Sequence, residues 1–176
     1  MSQQQKVPSF AEMLAGCRHS AVHLEMRDVY GVAEEDADFA AWKAGYRHDP
    51  ADRASWWHPF LTLVSDAVAR GVEFRRARVV SEPVTDYIRY EHSCTFQNIA
   101  AGEAVRWLPR AQASDVLLPG NDLWIFDDRV IRFGLFSGEG AFLGNVLEDD
   151  PATVKRCTEA FEAVWERATP HEVYQV

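Results

Sequence analysis

This chain lacks most of the signs by which a sequence announces a reaction. Cysteine is scarce: Cys17, Cys94 and Cys157 are odd in number and far apart, with no Cys-x-x-Cys pair and no Cys–His cluster. That excludes a disulfide framework and a thiolate zinc site, and leaves three small core residues, each on the apolar face of a predicted helix, in a reducing compartment. The six histidines are scattered, and His23, four residues from His19, falls on a predicted strand, so helical ligand geometry is missing. No metal and no cofactor are expected. There is no Gly-x-Ser-x-Gly, no Gly-x-Gly-x-x-Gly and no phosphate loop ending in Gly-Lys-Ser/Thr. "GEGAFLG" (138–144) has three glycines but leads into a strand, where a phosphate would need a helix N-terminus. No run approaches the ~20 apolar residues of a membrane span, and "MSQQQKVPSF" has no apolar leader segment. The expectation is a soluble cytoplasmic protein. Basic residues are also in deficit, 18 Lys and Arg against 27 Asp and Glu, a net charge of -9. A domain that binds nucleic acid directly normally carries the opposite sign. The short basic run "RRAR" (75–78) reads as a solvated strand face.

What is present is core material: 47% hydrophobic and 12% aromatic residues, enough for one domain of 176 residues. Residues 1–8 read as a disordered lead-in, 9–168 as the domain and 169–176 as a tail pinned by Tyr174. Ser9 and Glu12 have capping-box spacing ahead of an apolar stripe of Phe10, Met13, Leu14 and Cys17. "AVHLEMR" (21–27) alternates, so it predicts a strand with Val22, Leu24 and Met26 buried and His23, Glu25 and Arg27 facing out. A helix over 34–46 has an acidic first turn. Asp49 and Pro50 predict the start of the next one, which ends at Gly71. "EFRRARVV" (73–80) is a strand. Ser81 caps a helix with Pro83 in its first turn, running to Ala101, and "AVRWL" (104–108) is the strand that follows. Strand–helix–strand over 73–108 predicts a parallel βαβ crossover. Residues 122–147 read as three strands joined at Asp127–Asp128 and Gly138–Gly140, and Asp150–Pro151 opens the clearest helix of the chain. The fold class is α/β of the mixed, α+β kind: one domain, a mixed sheet with helices on both faces, a C-terminal antiparallel meander and a final helix.

Among polar residues Glu91 stands out. It sits in the middle of the stripe Val84, Tyr87, Ile88, Thr95 and Ile99, where a carboxylate is desolvated unless paired. Arg78, on the strand entering this helix, and Arg106, on the strand leaving it, are the candidate partners. Two readings stand side by side: an ion pair that fixes helix on sheet, and a small-ligand pocket. Asp127–Asp128 and Asp149–Asp150 read as turn and N-cap. Trp56 and Trp57 point about 100° apart on a helix, so one belongs to the core and the other covers a sheet edge or anchors an interface.

The stretches "RVVSEPVTDYIRYE", "AGEAVRWLPR" and "GNDLWIFDDRVIRFGLFSGEGAFLG" resemble, in combination, a family of uncharacterised actinobacterial proteins catalogued as a domain of unknown function. The resemblance extends from "FAEML" to "ATPHEVY". Members of that family are often encoded beside helix-turn-helix regulators, which implies such a regulator or another protein as partner; self-association into a homodimer stays open. The run "LWIFDDRVIRF" and the helix "FEAVWERA" are also similar to sensor domains of prokaryotic regulators that have a degenerate phospholipase-D-like fold. A working half-site of that fold needs His-x-Lys, and "HSC" (92–94) and "HEV" (171–173) lack the lysine. What the similarity then implies is a groove lined by Arg78, Glu82, Arg106 and Asp122. The sequence thus supports a non-catalytic regulatory or interaction protein acting with a DNA-binding regulator. The alternative is a small anionic-ligand sensor or enzyme.

Overall fold

Seven strands and five helices are built from residues 7–31 and 36–176, the residues that the computed structural model describes. The helices are α1 (Phe10–Gly16), α2 (Asp36–Lys43), α3 (Pro59–Ala69), α4 (Asp86–Ala100) and α5 (Pro151–Arg167). The strands are β1 (Ser20–Glu25), β2 (Glu73–Val80), β3 (Ala104–Pro109), β4 (Leu123–Phe126), β5 (Val130–Phe136), β6 (Phe142–Glu148) and the short β7 (Thr169–Pro170). They form one sheet in the order β6-β5-β4-β1-β2-β3-β7. β1, β2 and β3 run parallel, and every other pairing is antiparallel. The expected crossover and meander are both there. The strand over 169–170, expected as tail, pairs with β3 instead, and Tyr174 beyond it is buried against Trp107.

Alternation sorts the side chains into two layers. Val22, Leu24, Ala77, Val79, Leu108, Leu123, Ile125 and Ile131 meet Val154, Cys157, Phe161 and Val164 of α5. Their neighbours point to the opposite face. There Ala21, Phe74 and Phe126 pack under α1 and α3 at one end, and Val80, Val105 and Trp107 pack under α4. Each fully buried side chain of the Leu, Val or Phe kind contributes about 1.5–3 kcal/mol. The helix ends follow local chemistry. Ser9 and Glu12 close the capping box of α1, and the Asp150 carboxylate accepts from the Thr153 N–H at the start of α5.

Two helix starts differ from expectation. Asp49–Pro50 opens no helix: the Asp49 carboxylate accepts from Ala51 N, its carbonyl accepts from the Trp56 indole, and burial of Trp56 draws 53–55 into a 3-10 turn. α3 starts ten residues later, with Pro59 in the first turn. Ser81 caps nothing either, because its N–H and hydroxyl both donate to Asp28, at 2.7 and 2.6 Å. Thr85 is the cap, accepting from Ile88 N at 3.1 Å. The first turn of the expected 34–46 helix and most of the expected lead-in lie outside the described residues.

Candidate functional site

β1 is a central strand between β4 and β2, so both of its faces are covered. His23 and Glu25, expected in solvent, keep only 14% and 13% of their side-chain surface. His23 lies in register with Arg76 on β2 and Trp124 on β4, and Trp124 with Arg132 on β5. Glu25 lies in register with Arg78, and Asp122 immediately precedes β4. One face of the sheet thus carries a polar field across four strands.

Most of that field is neutralised internally. Arg76 and Arg78 are 7% and 5% exposed, a correction to the reading of "RRAR" as a solvated face. Glu25 bridges them, Oε1 to Arg76 at 3.1 Å and Oε2 to Arg78 at 2.8 Å. Arg78 also pairs with Glu91, and Arg76 donates to the buried Glu103 at 2.5 Å. Asn98 donates to the other oxygen of Glu103 at 2.9 Å, and the Tyr87 hydroxyl to Glu91 at 3.2 Å. Burial works against the charge on Glu25, yet the two guanidiniums outweigh it and hold its carboxyl at about 2. Burial holds His23 well below its ordinary value, hence neutral, while its ring stacks on Trp124 at 3.9 Å. Asp122 is pushed up to about 6, chiefly by burial; it accepts from Met26 N at 3.0 Å and from the Tyr30 hydroxyl.

Beside this cluster is a cavity of about 230 Å³, bounded by Glu25, Glu91, Asp122, Trp124, Arg132 and Phe136. Gly134 forms part of its wall, and a Cβ there would come within 3.3 Å of the Phe136 ring, so the glycine keeps this corner open. Among the described residues, three residues bordering the space carry a buried polar atom with no hydrogen bond: Nδ1 of His23, Oε2 of Glu25, which is ion-paired to Arg78, and Nε of Arg132. Desolvation lowers the pKa of Arg132, which no carboxylate approaches to ion-pair distance among the described residues. No serine, threonine or cysteine among the described residues lines the cavity. Nor does any group of three or more His, Cys, Asp or Glu in those residues lie where it could hold a metal.

Of the residues singled out from sequence, the structure brings together Arg78, Glu91 and Asp122. Arg106 is not a partner of Glu91: it is on the other face of β3, where it donates to the Trp165 carbonyl at 2.9 Å and stacks on that indole at 4.4 Å. Alternation places successive strand residues on opposite faces, and Arg106 lies in register with Ala77, not with Arg78. Glu82 is exposed and accepts from the Tyr174 hydroxyl at 2.8 Å. Trp56 is in the core; Trp57 is half-buried with Arg53 stacked on it at 3.7 Å. Sequence reading passed over Glu25, His23, Arg76, Glu103 and Arg132. The available signal was "HLE" beside "RRAR": alternating ionisable residues on two strands that pair in parallel.

Fold and cavity together define a single-domain mixed α+β protein with an ion-paired polar field on one sheet face and an open pocket beside it. The chain belongs to the family of the domain of unknown function DUF6879, whose model matches residues 8–176. No curated protein sequence matches it. Among solved structures, TrmBL2, described as an archaeal chromatin protein with a novel mode of DNA binding, is 14% identical with a TM-score of 0.47. It is covered by this chain over 47% of its length, with 90% of this chain aligned, so the chain spans about half of that protein. The phospholipase D family member Nuc from Salmonella typhimurium is 10% identical with a TM-score of 0.48, covering 94% of this chain and 88% of its own. NucT from Helicobacter pylori is 12% identical with a TM-score of 0.49, covering 91% and 87%. No helix among the described residues is long and apolar enough to cross a membrane.

Proposed function

We propose that the chain is a non-catalytic regulatory module that takes up a small polar ligand in the cavity and acts on a protein partner. The partner class is the one the family resemblance implies, a DNA-binding regulator. The observation that carries this reading is Arg132: a half-buried guanidinium beside an open cavity, with no carboxylate at ion-pair distance among the described residues. A desolvated cation without a counter-ion costs stability, and a ligand that supplies the missing charge recovers it. The rest of the polar field supports binding more than turnover, because Arg76, Arg78, Glu25, Glu91 and Glu103 are engaged with one another.

A route to the partner is at hand. β6 is the open edge of the sheet, with Leu143 67% and Val146 47% exposed, and its Phe142 and Asn145 border the cavity. An edge strand offers unpaired backbone groups to an extended segment of another protein. Ligand at Arg132 therefore lies one strand away from the docking edge. The test is a thermal-shift screen of the full chain against small polar metabolites, repeated with Arg132→Ala and Arg106→Ala. The expected result is a rise in Tm that Arg132→Ala abolishes and Arg106→Ala leaves intact. A flat response across the library, or equal loss in both variants, refutes the reading.

A further inference from the structure

The charges around the cavity are unevenly placed. Three carboxylates, Glu25, Glu91 and Glu103, share two guanidiniums, Arg76 and Arg78, and Asp122 adds a fourth acid at the mouth of β4. Arg27, whose guanidinium stands 5.0 Å over the Phe136 ring, offsets part of the charge of Asp122, and the four acids still outnumber the three guanidiniums on the β1 and α4 side of the cavity. Arg132 stands two strands away on β5, in register through Trp124 and His23, roughly 10 Å from β1 at the usual strand spacing. Between the two ends lie Trp124, Phe136 and Phe142 as apolar walls. The space, about 230 Å³, holds roughly eight water volumes.

An anion alone meets Arg132 but then faces the acidic side. An amine alone leaves Arg132 without a partner. We infer that the ligand is a zwitterion of the amino-acid class, its carboxylate on Arg132, its ammonium toward Glu25, Glu91 and Asp122, and an apolar side chain against Trp124, Phe136 and Phe142. Arg presents its donors as a planar fork that matches a carboxylate, and aromatic faces beside an ammonium add attraction. This inference rests on the reading that the cavity binds a ligand, and it narrows the anionic expectation drawn from sequence.

The experiment is isothermal titration of the full chain, preceded by a thermal-shift pass over the twenty common L-amino acids. The decisive probes are L-phenylalanine, phenethylamine and 3-phenylpropionate, which share a ring and differ in which charges they carry. The expected result is that the best amino acid binds at least tenfold more tightly than its matched amine and its matched acid. In Arg132→Ala the advantage over the amine falls to within about twofold, while the amine's own affinity is unchanged. Gly134→Ala, which adds a methyl at the cavity wall, weakens all three probes and leaves the fold intact by circular dichroism. If an amine or an acid binds as well as the amino acid, the zwitterion is overturned and the cavity reading stands. If no amino acid binds while another class of polar metabolite does so in an Arg132-dependent way, the outcome is the same. If nothing binds to any variant, both fall.

Discussion

Replacing Glu91 by Ala tests whether the polar field holds the helix on the sheet. Glu91 accepts from Arg78, and Arg78 is 5% exposed. Removing one partner of a buried pair costs about 3–5 kcal/mol when the survivor is left alone. Arg78 would not be alone, since Glu25 stays 2.8 Å from its Nε, so the expected loss is smaller, about 2–3 kcal/mol. Replacing Arg78 by Met is worse, about 4–5 kcal/mol, because Glu25, Glu91 and Glu103 are then left to Arg76. The double variant Arg78→Met, Glu91→Ala removes one charge of each sign and leaves Arg76 between Glu25 and Glu103. Its loss should fall short of the sum of the singles by at least about 2 kcal/mol. Urea unfolding followed by tryptophan fluorescence reads all of these, and an unchanged m-value confirms that the same surface is exposed. For a chain of this length each kcal/mol moves Tm by about 2–4 °C. A Glu91→Ala loss below about 1 kcal/mol, or singles that simply add, would show that the ion pairs are incidental to how α4 sits.

Asp127 should matter beyond its turn. Against the cost of partial burial, the backbone N–H groups of Ser20, His19 and Arg18 hold its carboxyl at about 2. Asp127→Asn should cost about 2 kcal/mol at pH 7. The folded pKa is depressed, so the wild-type advantage is present above the ordinary Asp value and is lost as pH falls through about 2; urea unfolding at pH 7 and at the lowest pH where the chain stays folded checks both. Asp122 has the opposite sign. Its folded pKa, raised to about 6 chiefly by burial, favours the protonated form, so its contribution is full below the ordinary Asp value and declines as pH rises through 6. Asp122→Asn should therefore flatten the stability profile between pH 4 and 7; a variant whose profile parallels the wild type would dispose of the argument. Burial also pushes the Cys17 and Cys94 thiols up to about 11. Iodoacetamide at pH 7.5 should label neither in the native protein at a rate approaching that in urea, as read by mass spectrometry; rapid native labelling of either refutes it.

Much of the fold was legible because it follows from local chemistry. The capping box of α1, the Asp127–Asp128 turn between β4 and β5, and the Asp-Pro start of α5 each specify their element within a few residues. Two Asp-Pro pairs look alike in sequence, yet only the one at 150–151 opens a helix, because the other is overridden by a tryptophan seven residues away. The site was half legible. Glu91 stood out since a carboxylate in an apolar stripe needs a partner, and Arg78 is that partner. Arg106 was expected beside Glu91 because its strand leaves α4, but it stands in register with Ala77, on the other face of the sheet. Glu25, His23 and Arg132 were missed for a different reason: whether the polar side of an alternating strand is solvated depends on the strand's place in the sheet, which alternation alone does not state.

That place also explains why the cavity is where it is. Seven strands at about 4.8 Å make a sheet roughly 29 Å wide, and helices pack at about 8–10 Å spacing. On the polar face α4 packs against β3, and α1 and α3 cover the end that carries Ala21, Phe74 and Phe126. One helix at the level of Glu25 cannot span the remaining strands, so among the described residues β4 and β5 are left short of cover beyond the edge of α4. A polar residue is costly under the helix and free in solvent; at the boundary it can be both partly desolvated and reachable. The fully buried arginines, Arg76 and Arg78, lie under or near α4 and are paired. Arg132, beyond its edge, has no such pair among the described residues. A pocket whose charge is unmatched among the described residues therefore follows from a sheet wider than the layer that covers it.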